Sequence, residues 1–143
     1  MPHLDDLAEL EPANDDARDA LEREWASGRL DPYGERLLAF VTRHRAAIVQ
    51  RAGPDADAHA LLLAAKQHVI LAGAVHPRSE MVDQAREIQD EIWIRGERGE
   101  YDRQHIAHEW TSRHAANWRR WRLTEYLYVM DRRADEIVAA LQR

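Results

Sequence analysis

Residues 103–141 form an unbroken run of thirty-nine positions without Pro or Gly, the two residues that most strongly terminate helices. Strand-like alternation is almost absent from the whole chain, so the leading fold class is all-α. Within the run the apolar direction changes. At about 100° per residue, Ala107, Trp110, His114, Trp118 and Trp121 share one side, while Leu123, Leu127, Met130, Ala134, Ile137 and Leu141 share the opposite one. Either a break lies around residues 115–122, or one long C-terminal helix, kinked or straight, packs on opposite sides in its two halves. A helix of that length is long for a compact domain, so a break or kink with Asn117 at the junction is the favoured expectation.

The rest of the chain reads as shorter helices. Ala17, Leu21 and Trp25 form a stripe that Gly28 is placed to end. Asp31-Pro32 opens a second helix carrying Leu37, Val41, His44 and Ile48 as far as Gly53-Pro54. A third, capped by Asp55 or Asp57, presents Leu61, Leu62, Ala65, Val69 and Ala72, ending near Gly73. Ser79 opens a fourth, with Met81, Val82, Ala85, Ile88, Ile92 and Trp93 directed inward, and Asp102 caps the segment that follows. The expected architecture is a compact bundle of five or six helices, built as one domain over residues 16–143 behind a flexible acidic segment, residues 1–15.

Charge and cysteine content narrow the function classes. Residues 1–35 hold eleven acids against three Arg, whereas residues 36–143 hold seventeen bases against fifteen acids. The overall charge of −6 disfavours broad nucleic-acid binding. With no Cys, disulfides, thiolate nucleophiles and thiolate metal centres drop out. No window resembles a signal peptide or a membrane span, so a soluble, cytoplasmic protein without transmembrane association is expected.

Two groups of residues carry chemistry. His105 and Glu109 lie one helical turn apart, with Asp102 and His108 close in sequence. Imidazole and carboxylate at that spacing suit a divalent transition metal or acid–base work, although neither a His-Glu-x-x-His nor a Glu-x-x-His motif is present. His44, His68 and His114 fall on apolar helix faces, where converging imidazoles would add ligands. No glycine-rich phosphate loop, dinucleotide fingerprint or nucleophile elbow occurs.

The second group is aromatic and basic. Residues 110–122 contain four Arg, three Trp and no acid. Indoles anchor protein interfaces, and guanidinium groups clamp carboxylates or phosphates. Trp110, Trp118, Arg119, Arg120, Trp121 and Arg122 are therefore the expected partner-binding residues. The leading functional expectation is a protein-interaction or homo-oligomeric assembly module, a homodimer or a binder of another protein. The alternative is a metal-dependent helical-bundle enzyme using His105 and Glu109, with His44, His68 and His114.

Overall fold

Local capping chemistry sets the helix starts in the computed structural model, which describes residues 10–72 and 74–143. The Asn14 side chain accepts a hydrogen bond from the Ala17 backbone at 2.9 Å, opening α1, Asp15–Ala26. Pro32 sits in the first turn of α2, Asp31–Arg43. That helix stops at His44, whose backbone leaves the helical region, and α3, Arg45–Ala52, follows at once. The single second helix expected from the periodicity is thus two. No Pro or Gly marks the break, where the His44 ring packs between Phe40 and His68.

Asp57 caps α4, Ala58–Ala72, by accepting from the Ala60 backbone at 2.8 Å. Gly73, the expected terminator, lies outside the described residues, as do residues 1–9 of the acidic segment. α5, Pro77–Glu97, begins two residues before Ser79, because His76 Nδ1 accepts from the Ser79 backbone and Pro77 follows directly. Asp102 caps α6, Arg103–Arg132, as its spacing implied. The break favoured at residues 115–122 does not occur, and the alternative of one long helix through this stretch is the one observed. With no Pro or Gly to end it, α6 continues for 30 residues and breaks at Arg133, before α7, Ala134–Gln142. The described residues therefore hold seven helices and no strand, an all-α fold with one helix more than the upper expectation.

The chain divides into two compact units. The first takes its described residues from 10–75 and 121–143, and its core includes Leu37, Phe40, Val41, Ile48, Val69, Tyr126, Met130 and Ile137. Leu10, within the segment read as flexible, is buried in that core. The second unit, His76–Arg120, joins α5 to the first part of α6 through a short loop. The apolar stripe of α6 changes direction where the helix passes from one unit to the other. That is why one continuous helix carries the pattern of two. No single helix among the described residues is long and apolar enough to cross a membrane.

Candidate interaction surface

In the second unit α5 turns its polar side toward α6. Gln84, Ile88, Glu91 and Arg95 recur at spacings of four, three and four residues and are half-buried. Arg95 donates to Glu91 at 3.0 Å and to Glu109 of α6 at 2.8 Å, and Arg113 approaches the other Glu109 oxygen at 3.0 Å. The Arg95 hydrogen bond is the main influence holding the Glu109 carboxyl below the usual carboxylate range, with Arg113 and His105 acting in the same direction. Ile106 and Trp110 on α6 are buried.

This rotation of α5 leaves much of its apolar face outside. Met81, Val82 and Trp93 are 72%, 51% and 69% exposed, and Ala85 is exposed beside them. At about 100° per residue these four span roughly 120° of the helix. They were expected to point inward, and the structure corrects that expectation. Ile92, Trp93 and Ile94 are consecutive, so they cannot all meet one neighbouring helix, and only Ile92 of the three is half-buried. The adjacent flank carries Asp83, Glu87 and Asp90. Tyr101, in the connection between α5 and α6, is also exposed.

The six aromatic and basic residues singled out from sequence occupy different environments. Trp110 is buried beside His114, with ring centroids 6.0 Å apart. Trp118 and Arg119 are half-buried and Arg120 is exposed, all three in the second unit. Trp121 and Arg122 belong to the first unit, Trp121 exposed and Arg122 buried. The Arg29 and Arg122 guanidinium groups stand 5.8 and 5.5 Å from the Trp121 ring centroid.

Arg122 belongs to a buried polar cluster that sequence reasoning missed. Its Nη1 donates to the Tyr33 hydroxyl, and its Nε lies 3.8 Å from Glu125. Arg29 donates to Glu125 at 2.5 Å and also to Glu24. Burial is the largest influence on Glu125 and pushes its carboxyl above the usual range, against the pull of Arg29 and Arg122. The available signal was position, since Glu125 sits between Leu123 and Tyr126 on the inward side of a core helix.

The histidines form pairs. His44 and His68 stand 4.9 Å apart by ring centroids in the first unit, with Phe40 against both. Burial, then the neighbouring His44, lowers the His68 pKa. His114 lies in the second unit, as do His105 and Glu109, whose Nε2 and Oε2 are 3.2 Å apart. Among the described residues, no group of three or more His, Asp or Glu side chains is gathered to hold a metal ion. The first unit also has a cleft of about 560 Å³ with Leu63 and Leu127 in its walls. Its Lys66 and Asp131 pair at 2.5 Å, and Arg132 donates to Tyr128 at 3.2 Å. These contacts pair four of its polar lining residues with one another. Comparison with protein-family models, curated proteins and solved structures found no match.

Proposed function

We propose that the chain is a protein-interaction module that binds through the outer face of the His76–Arg120 unit. The observation carrying this reading is the exposure of Met81, Val82 and Trp93 along one helix, while the large apolar residues of the first unit's core are closed away. Exposed apolar side chains grouped along one helix side, here with Gln89 among them, cost free energy in water and are covered by a partner in interaction proteins. Trp93, at the C-terminal end of that side, supplies an exposed indole, the side-chain type that most often anchors an interface. Arg119 and Arg120 add cationic contacts at the α6 end of the unit. Trp110 and Arg122, both buried, serve the fold instead of touching a partner.

Replacement of Trp93 by the photoreactive analogue p-benzoylphenylalanine tests the reading. Irradiation of cells expressing the full chain is expected to give protein adducts from position 93. None should come from the same group at Asp55, an exposed loop residue of the first unit. Absence of adducts at position 93 overturns the proposal. Trp93→Glu should leave the thermal stability of the unassociated chain, read at high dilution, within about 0.5 kcal/mol, because the native side chain is exposed.

A further inference from the structure

We infer that the partner of this face is a second copy of the chain, with α5 of each copy packing on the 103–120 part of α6 in the other. The inference rests on the reading of His76–Arg120 as an interaction surface and adds the identity of the partner and the pairing of the helices.

Charge separation within the unit supports this arrangement. Residues 77–97 carry six acids and three Arg, whereas residues 103–120 carry four Arg and one acid. The net charges are −3 and +3. A two-fold assembly that sets α5 on the partner's α6 repeats the attraction twice. Pairing α5 with α5 would place the flanks bearing Glu87 and Asp90 against each other, a like-charge contact that opposes association.

Shape agrees with charge. The apolar side of α5 has Met81, Val82 and Trp93 as projecting side chains. On α6, Ala107, Thr111 and Ala115 recur at spacings of four residues beside His114 and Trp118, a strip of small side chains edged by large ones that side chains from another helix can enter. A helix of 21 residues is about 31 Å long. Two helices side by side then offer a face on the order of 600 Å² in projection, near the ~800 Å² that each partner contributes to a standard interface. The product is a four-helix assembly, two helices from each copy.

Paired charge reversals test this on the full chain, read by light scattering and sedimentation over a concentration series up to about 100 μM. The wild type is expected to dimerise. The acid-reversed variant, Glu87→Arg with Asp90→Arg, and the base-reversed variant, Arg103→Glu with Arg119→Glu, should each weaken the dimer by about tenfold or more. An equimolar mixture should recover a heterodimer near wild-type affinity. Circular dichroism at each step establishes that the variants remain helical.

A monomeric wild type overturns the second-copy inference. If position 93 still forms adducts with other proteins, the broader interaction reading stands; if it forms none, both fail. Weakening by acid reversal alone, or failure of the mixture to recover, overturns the proposed α5-to-α6 pairing.

Discussion

Glu125 is a carboxyl in the core, touched by Arg29 and close to Arg122. Removing one member of a buried ionic group leaves the others without compensation, so Glu125→Ala should cost about 3–5 kcal/mol. Glu125→Gln, which keeps an oxygen for Arg29, should cost less. The raised pKa of Glu125 also sets a pH dependence. Its folded form holds the proton more tightly than its unfolded form. The associated stability is therefore complete below the usual carboxylate range and is lost as pH rises through the raised value. The Tm of the wild type minus that of Glu125→Gln should fall across this window. A difference that stays flat with pH would count against a raised carboxyl.

At the scale of elements, the junction between α6 and α7 is tied to α2 through Arg133. This residue ends α6 and pairs with Glu136 at 2.7 Å and Glu35 at 3.3 Å. Its side chain crosses Gly34, where an added Cβ would overlap Nη1 and approach Cδ to 2.8 Å. Gly34→Ala therefore sets a helix-propensity gain of about 1 kcal/mol against displacement of Arg133 from its two carboxylates. Combining Gly34→Ala with Arg133→Ala should show a coupling of about 1 kcal/mol or more in a double-mutant cycle measured by urea unfolding. Strict additivity would show that Arg133 moves aside without loss.

This scale also shows how much structure was legible in the sequence. Asp57 and Asp102 act as caps because that signal is local, and Asn14 lies at the expected approach to α1. The break at His44 has no local terminator; it coincides with ring packing against Phe40 and the distant His68. The continuity of α6 stayed one of two open readings because a change of apolar direction looks the same whether a helix ends or changes its surroundings. The inner face of α5 was misread because Glu91 and Arg95 reach inward through charge pairing and aliphatic stems, which an apolar count does not register. The Trp and Arg residues stood out by composition, yet burial separates Trp110 and Arg122 from Arg120 and Trp121.

Across the molecule, stability should be unevenly distributed. The first unit buries an extended apolar core, whereas the described buried residues of His76–Arg120 are Glu80, Ile106 and Trp110. Hydrogen exchange by mass spectrometry should show faster opening in residues 80–96 than in residues 61–70 of α4. Equal protection under dilute conditions would overturn that ranking. Self-association through α5 should slow exchange in residues 80–96 as concentration rises, while residues 61–70 change little.

The division of the chain has a consequence for biosynthesis. The first unit is discontinuous, with residues 76–120 lying between its two stretches. Phe40, Val41 and Val69 are made early, but Tyr126, Met130 and Ile137, with which they share a core, follow after the whole second unit. A nascent chain ending at Arg120 therefore has much of one core's apolar surface and lacks the residues that complete it, a state in which a chaperone has something to hold. The later unit in sequence can close while the earlier one still waits for its remaining half.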